Sequence, residues 1–375
     1  MSGVDELLEG KRIVICAGAG GVGKTTTSAA IAMGMAAQGL KVAVLTIDPA
    51  KRLANSLGLQ ELGNEETQVD AERFAEAGLE MRGELWAMML DAKRTWDEVI
   101  ERHASDEKTR DAVLGNRIYQ ELSNAVAGST EYMAMEKLYE LHHEGRYDLL
   151  VLDTPPTRNA LDFLDAPERL SRFVDSRSLQ FFLKPGRLGM KVFGRGSGLL
   201  FSVLKRVTGV DLLRDLSEFF QSFGDMASGI GERAERVGEL LGARESTFLL
   251  VTSPQRDAID EAVFFRRRLR ESRLPFGGAV VNRMNEGPSG EEVDVSGDLE
   301  ALLGEKLGRK VTRNFEDHRR LAEHDRAQVA RLARELRGEP LITVPLLDDD
   351  VHDVEGLAAI NEHLFAADAL AAAKG

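Results

Sequence analysis

Residues 18–26 read Gly18-Ala19-Gly20-Gly21-Val22-Gly23-Lys24-Thr25-Thr26, and this glycine-rich run decides the fold. An apolar, β-branched run, Arg12–Ala17, precedes it, and an alanine-rich run, Thr27–Ala32, follows it. The order predicts a strand, a glycine loop and a helix. In such a loop successive backbone N–H groups turn toward one anion, and the helix N-terminus adds the positive end of its dipole. The run therefore predicts a phosphate-binding P-loop.

Two side chains at the end of the loop are expected to bind the phosphates and the metal ion. Lys24 is expected to reach the β- and γ-phosphates, and Thr25 supplies a hydroxyl for a Mg²⁺ ion. The other loop residues expected to surround the nucleotide are Gly18, Ala19, Gly20, Gly21, Val22, Gly23 and Thr26. A glycine-rich turn could match by chance, but the flanking patterns favour ATP or GTP with Mg²⁺. A redox dinucleotide fold is disfavoured because its fingerprint lacks the Gly-Lys-Thr ending.

Composition limits the class of protein. The chain has 375 residues, of which 43% are hydrophobic and 29% charged, and this suits one large α/β domain or one domain with an insertion. A formal net charge of −14 argues against a nucleic-acid partner, which requires a basic face. The chain shows neither a basic, apolar leader nor an apolar run near the ~20 residues that span a bilayer, so we expect a cytoplasmic protein.

Strand-like runs recur along the chain, mostly without polar alternation, as in a parallel sheet buried on both faces. After the first strand they are Val42–Ile47, Leu85–Leu90, Leu149–Leu152, Phe248–Val251, Gly278–Val281 and Leu341–Val344. The predicted fold class is α/β: a P-loop NTPase with a mostly parallel sheet, flanking helices and an inserted helical subdomain. We expect the ATPase core to comprise residues 1–165 and 246–375, and the insertion to comprise 166–245.

The insertion is rich in apolar residues at helical spacing. Six of them are Leu212, Leu213, Leu216, Phe219, Phe220 and Phe223. They could pack the subdomain's own core, or they could form a groove that opens to a hydrophobic partner. Both alternatives stay open at the level of sequence.

Two carboxylates follow predicted strands. Asp153 closes the run Leu149–Leu152, where P-loop enzymes hold the water shell of Mg²⁺. Asp48 follows the second strand and could orient a water molecule in line with the γ-phosphate. Either acid could instead be a helix cap or a surface charge, but their shared position at strand ends favours functional roles.

The two segments that contain these acids resemble the switches of one family. Asp48-Pro49-Ala50-Lys51-Arg52-Leu53 and the run Asp153 to Leu161, which begins Asp-Thr-Pro-Pro-Thr, are similar to switches I and II of the arsenite-pump and guided-entry ATPases. Val280–Arg283 resembles the segment whose Asn recognises adenine, and Val344–Val351 resembles the loop that covers the base. The resemblance therefore extends over nearly the whole chain.

The resemblance implies an ATP hydrolase that uses ATP rather than GTP and forms a nucleotide-dependent dimer. It places Asp48 and Lys24 in catalysis, and Thr25, Asp48 and Asp153 around Mg²⁺. It assigns the base site to Asn282, Arg283, Pro345 and Leu346. It also implies that the switches couple to the helical subdomain, with a membrane-protein segment as a possible hydrophobic client.

Three departures from the family pattern matter. The family's signature lysine, which crosses the dimer to the partner's phosphates, is Ala19 here. Hydrolysis is then expected to be slow, unless Lys51, Arg52 or Arg158 supplies the charge, or a heterodimer partner does. The paired cysteines of the zinc-bridged relatives and the metalloid-binding cysteines are also missing. Because Cys16 is the only cysteine and belongs to a predicted core strand, we expect no zinc or metalloid site.

Two other classes of protein compete with this interpretation. One is a hydrolysis-poor nucleotide-binding subunit of a heterodimer, for which Ala19 is the discriminating residue. The other is a partition-type nucleotide switch that attaches to a membrane or protein partner. The run Ile360 to Lys374 is only weakly amphipathic, with Lys374 as its only lysine or arginine, and gives that switch little support.

Overall fold

The computed structural model describes residues 3–48, 50–125, 129–155, 165–167, 172, 210–287, 301–366 and 369. The chain divides into two compact units. The first contains Met1–Met89, Gly145–Ala160 and Ala243–Gly375, and the second contains Leu90–Glu144 and Leu161–Gly242. Sequence reasoning did not anticipate that Leu90–Glu144 groups with the insertion. The boundaries 1–165, 166–245 and 246–375 stay a prediction.

The first unit is built on an eight-stranded sheet with the order β3-β4-β2-β5-β1-β6-β7-β8. The strands are β1 Ile13–Ala17, β2 Lys41–Thr46, β3 Thr67–Gln68, β4 Glu84–Met89, β5 Leu149–Asp153, β6 Ser246–Thr252, β7 Phe276–Met284 and β8 Leu341–Pro345. All neighbours pair in parallel except β3 and β4. The predicted α/β class with a mostly parallel sheet is confirmed.

The strands form the core because their side chains are apolar on both faces. Every residue of β1, β5 and β6 is buried. This burial explains why unbroken apolar runs predicted the strands to within one or two residues, except β7, which extends to Met284. The short β3 was not predicted, since Thr67 and Gln68 are polar and exposed.

The first unit also contains helices that flank the sheet. They are α1 Val4–Leu7, α2 Lys24–Ala37, α3 Arg52–Ser56, α4 Ala71–Glu76, α10 Arg256–Glu271, α11 Glu305–Leu336 and α12 Val354–Leu364. The helix α2 follows β1 directly, as the glycine loop requires. Asn361 of α12 donates from Nδ2 to the carbonyl of Ala30 in α2, at 2.9 Å. This bond holds the C-terminal helix against the helix that follows the glycine loop.

The second unit, as far as it is described, is helical. Its helices are α5 Ala92–His103, α6 Glu107–Leu114, α7 Arg117–Ala125, α8 Ser129–Glu144 and α9 Val210–Gly242. Glu136 of α8 has no exposed surface and pairs with Arg233 of α9, whose Nη2 lies 2.8 Å from its Oε1. Arg102 of α5 approaches the same oxygen at 3.4 Å. One buried carboxylate thus connects three helices.

The predicted helical spacing of the insertion is confirmed in α9. Two of its six apolar positions, Phe219 and Phe223, are buried, and their rings stack with centroids 5.4 Å apart. These two side chains therefore pack the core of the unit rather than line an open groove. The side chains at the other four positions lie outside the described part of the structure. Among the described helices, none combines the length and apolarity needed to cross a membrane.

Candidate nucleotide site

The glycine loop connects β1 to α2 in a conformation that glycine alone allows at two positions. A Cβ on Gly18 would lie 1.9 Å from the carbonyl oxygen of Val251. Gly23, which caps the N-terminus of α2, has φ +92°, and a Cβ there would lie 2.3 Å from Nδ2 of Asn282. The loop therefore packs tightly against β6 and β7, and its backbone can approach a ligand closely.

Lys24 begins α2 and is buried. Its Nζ donates to the carbonyl of Ala19, 2.9 Å away, across the base of the loop. Burial lowers the pKa of Lys24, while the nearby carboxylates of Asp153 and Asp48 act in the opposite direction. A buried ammonium within the loop is placed to meet phosphate charge.

Asp153 ends β5 and is buried. Its Oδ2 accepts one hydrogen bond from Thr25 Oγ1 at 2.6 Å and another from Thr46 Oγ1 at 2.9 Å. Its Oδ1 is also buried and has no hydrogen-bond partner in the described structure. Burial raises the pKa of Asp153 to about 6. A carboxylate oxygen left without a donor has an unmet need for a cation or a bound water molecule.

Asp48 follows β2 and lies beside this pair. Its backbone N–H donates to Thr46 Oγ1 at 3.2 Å, so Thr46 connects the two acids. Its Oδ1 accepts from the N–H of Ala50 at 2.9 Å, and its Oδ2 lies 3.7 Å from Nη1 of Arg52. The order β2-β5-β1 therefore brings Asp48, Asp153 and the glycine loop to one sheet edge, as expected for ligand sites of α/β sheets.

Mg²⁺ fits this set of oxygens. Mg²⁺ takes one or two protein oxygens beside phosphates and keeps several waters. The hydroxyl of Thr25, the orphaned Oδ1 of Asp153 and the partly exposed carboxylate of Asp48 are such oxygens. Their roles as metal ligands remain predictions.

The predicted base residues lie on the other side of the loop. Asn282 is buried on β7, and its Nδ2 donates to the carbonyl of Val22 at 3.0 Å. Arg283 is exposed, and its Nη1 donates to the carbonyl of Gly21 at 3.1 Å. The Oδ1 of Asn282 accepts from the N–H of Arg283 at 3.0 Å. One donor and one lone pair of the Asn282 amide remain for a base.

A cavity of about 490 Å³ joins these groups, within the range of small-molecule sites. It is lined by residues of the glycine loop and the start of α2, of strand β7, and of the segments at the ends of β2, β5 and β8: Gly21, Gly23, Lys24, Thr25, Thr26, Asp48, Arg52, Thr154, Asn282, Arg283, Pro345 and Leu346, with Asp349, Asp350 and His352 among the others. The structure thus gathers most of the predicted site residues around one cavity. Asp153 lies beneath it, hydrogen-bonded to Thr25.

Ala19 and Gly20 face a second cavity, of about 640 Å³. Gly21, Val22 and Arg283 line this cavity too, together with residues that include Ser253, Asp257, Leu321 and His324. Arg283 therefore lies at the border of both cavities. Gly18, the first residue of the loop, packs against Val251 of β6.

The cations considered as substitutes for the signature lysine have different surroundings. Lys51 lies 3.5 Å from Glu61, and Arg52 lies 3.7 Å from Asp48. Arg158 lies outside the described residues. Both described cations are therefore near carboxylates.

Sequence reasoning missed two threonines that hold the acids in place. Thr46, the last residue of β2, bridges Asp48 and Asp153. Thr154 donates from Oγ1 to the carbonyl of Cys16 at 2.8 Å and so fixes the end of β5 against β1. Both threonines could have been found from the sequence, because each is a hydroxyl residue at the carboxyl end of a strand, close to a predicted carboxylate.

Cys16 is fully buried as predicted, and burial raises the pKa of its thiol to about 12.

Comparison with known proteins is consistent with this arrangement. The family model described as Anion-transporting ATPase matches residues 11–319. The "ATPase GET3" of Malassezia globosa is 23% identical over 352 residues, which cover 94% of this chain and 90% of that protein. The "ATPase get3" of Aspergillus terreus is 25% identical over 284 residues, 76% of each chain.

Another relative matches a smaller region. The "Putative arsenical pump-driving ATPase" of Halobacterium salinarum is 32% identical over 177 residues, which cover 46% of this chain and 26% of that protein. The family match, by contrast, contains the glycine loop, both acids and the Asn282 segment. This chain therefore belongs to the Anion-transporting ATPase family, whose members bind and hydrolyse ATP.

Proposed function

We propose that this chain is a Mg²⁺-dependent ATPase that acts as a dimer and couples its nucleotide cycle to the binding of a hydrophobic client. The observation that carries the Mg²⁺ part is the environment of Asp153. A buried carboxylate with two hydroxyl donors on one oxygen and none on the other suits the coordination sphere of a hard cation. When bound, Mg²⁺ would neutralise part of the phosphate charge.

In this proposal each residue of the site has its own role. The glycine loop and Lys24 hold the phosphates, Thr25 offers its hydroxyl to the metal, and Asp153 orients that hydroxyl. Asp48 is about one third exposed at the cavity and retains lone pairs that can orient a water molecule. Asn282, Pro345 and Leu346 surround the adenine. These assignments are supported by the hydrogen bonds and the shared cavity described above.

A dimer is supported by an exposed apolar stripe on the first unit. Leu307, Val311 and Phe315 lie at spacings of four on one face of α11, and each is more than a third exposed. Exposed apolar stripes of this kind are common at subunit interfaces. Ala19 cannot supply a positive charge to a partner subunit. The dimer is therefore either a homodimer that hydrolyses ATP slowly or a heterodimer whose other subunit carries the lysine.

The client part rests on the helical unit. Because Phe219 and Phe223 are buried, we place the client surface on other residues of the insertion. A fluorescent, leucine-rich helical peptide of 20 residues is a suitable probe. Binding that is at least tenfold tighter with Mg-ATP than with ADP in the Asp48→Asn variant would support this part, and equal or absent binding would refute it.

The first experiment is light scattering of the purified protein with Mg-ATP and without nucleotide, with phosphate release followed in the same samples. We expect a nucleotide-dependent dimer whose turnover is lost in Asp48→Asn. A monomer that binds ATP but releases no phosphate would refute the self-sufficient enzyme and favour the hydrolysis-poor subunit of a heterodimer.

A further inference from the structure

Strand β7 is distorted where it passes the glycine loop. Its pairing with β8 changes register between Val281 and Met284. Within that bulge Arg283 has φ +63°, in the left-handed region that disfavours residues with a Cβ. The two other described non-glycine residues with positive φ lie just past helix ends, where this conformation is common: Arg273 follows the C-cap of α10, and Arg337 is the C-cap of α11. The conformation of Arg283 is therefore the one that needs a local explanation.

The bulge places two consecutive side chains on one wall of the glycine loop. Asn282 binds the carbonyl of Val22, and Arg283 binds the carbonyl of Gly21. In a regular strand, neighbouring side chains point to opposite faces. The left-handed residue thus allows both side chains to reach the loop, and local strain of this kind is found at functional sites.

Arg283 also differs from the other cations of the site in its charge environment. Lys24 is bonded to Ala19, Lys51 lies near Glu61, and Arg52 lies near Asp48. Across the described residues, Arg283 has no carboxylate partner. Its guanidinium has five N–H donors, and its bond to Gly21 uses one of them. Four donors therefore remain at the border of the two cavities.

We propose that Arg283 binds the phosphate chain of the nucleotide, rather than its base, and supplies in the same chain the positive charge that Ala19 lacks. This inference rests on the proposed function and deepens it. Arginine suits the task because its planar, permanently charged fork can donate two parallel hydrogen bonds to phosphate oxygens. Its bond to Gly21 would hold the guanidinium beside the loop that surrounds the phosphates.

The test uses a substitution that suits the backbone. Arg283→Gly removes the guanidinium, and glycine adopts φ +63° without strain. Arg273→Gly is the matched control, because Arg273 has φ +56° and is exposed at the end of α10. Equilibrium affinities for ATP, ADP, AMP and inosine triphosphate are measured by titration calorimetry for both variants and for the wild-type protein.

We expect Arg283→Gly to weaken ATP binding roughly 10- to 100-fold, with AMP binding changed less than about threefold. Its preference for ATP over inosine triphosphate should equal that of the wild type, and Arg273→Gly should bind every nucleotide normally. Equal losses for ATP and AMP, a changed base preference, or an unchanged ATP affinity would each overturn the proposal.

The wild-type titration separates this proposal from the broader one. If the wild type binds no ATP, or if Lys24→Ala binds it as tightly as the wild type, the proposed nucleotide site itself is wrong, and the role of Arg283 fails with it. If the wild type binds ATP and Lys24→Ala does not, a neutral Arg283→Gly refutes the role of Arg283 alone.

Discussion

The Oγ1 of Thr25 lies 2.6 Å from Oδ2 of Asp153, so the first turn of α2 and the end of β5 are joined by one short hydrogen bond. This bond holds the hydroxyl at the proposed Mg²⁺ site. We predict that Thr25→Ala lowers Mg-ATP turnover at least about 100-fold, because a hydroxyl ligand is lost. Phosphate release measured against Mg²⁺ concentration checks this.

Thr25→Ser is the matched control for that experiment. It keeps the hydroxyl and removes one methyl group, so its turnover should stay within about fivefold of the wild type. An alanine variant as active as the serine variant would contradict the role of Thr25 at the metal.

Asp153 predicts a pH dependence of stability in the nucleotide-free, metal-free protein. Burial raises its pKa from 3.8 to about 6, so the folded state binds the proton more tightly than the unfolded state. The contribution of the protonated Asp153 carboxyl to the free energy of unfolding is therefore complete below about pH 4, and it is lost as the pH rises through about 6. The full shift corresponds to about 3 kcal/mol of unfolding free energy.

Urea unfolding in EDTA, from pH 4.5 to pH 7.5, measures this effect. Asp153→Asn does not titrate at this position, so the unfolding free energy of the wild type should fall relative to that of the variant as the pH rises. Parallel pH profiles for the two proteins would show that Asp153 is not perturbed in this way.

Replacement of Ala19 by the lysine of the family pattern is expected to increase the rate of ATP hydrolysis. Ala19 lines the cavity of about 640 Å³, which has room for a longer side chain. If the absent signature lysine limits a homodimer, Ala19→Lys should raise turnover at least about tenfold, because a cation then meets the charge of the transition state. Steady-state phosphate release is the measurement, and Ala19→Met, of similar length and without charge, is the control. Equal turnover of the lysine and methionine variants would exclude that explanation.

Glu136 predicts a large loss of stability in the helical unit. Its carboxylate is fully buried against Arg233, whose side chain is only 16% exposed, so Glu136→Ala leaves a largely buried cation without this partner and should cost about 3 kcal/mol of unfolding free energy. Glu305→Ala is the control, because Glu305 pairs with Arg309 at 2.6 Å but both side chains are mostly exposed. The control should lose less than about 1 kcal/mol in the same urea titration.

The sheet and most of the candidate site follow from local patterns in the sequence. Apolar runs predict the buried strands, and the strand ends predict Asp48 and Asp153. The edge strand Thr67–Gln68 could not be predicted from an apolar run, because it is defined only by its backbone pairing with β4. The bulge at Arg283 could not be predicted from local sequence either, since it is associated with contacts to the glycine loop about 260 residues away.

The helical unit shows a different limit of sequence patterns. Periodicity predicts that α9 is a helix, but it does not tell a buried aromatic stripe from an open one. The neighbouring helices decide that question for Phe219 and Phe223, and these helices come from a distant part of the chain, Leu90–Glu144.

The bond between Asn361 and Ala30 has a consequence for how the protein responds to nucleotide. It joins segments 331 residues apart in the chain, and the loop after β8 that lines the cavity leads directly into α12. A nucleotide that touches both the glycine loop and this loop acts as a reversible cross-link between the two ends of the fold. Saturating ATP should therefore protect the N-terminal and C-terminal segments from proteolysis together, as one cooperative unit.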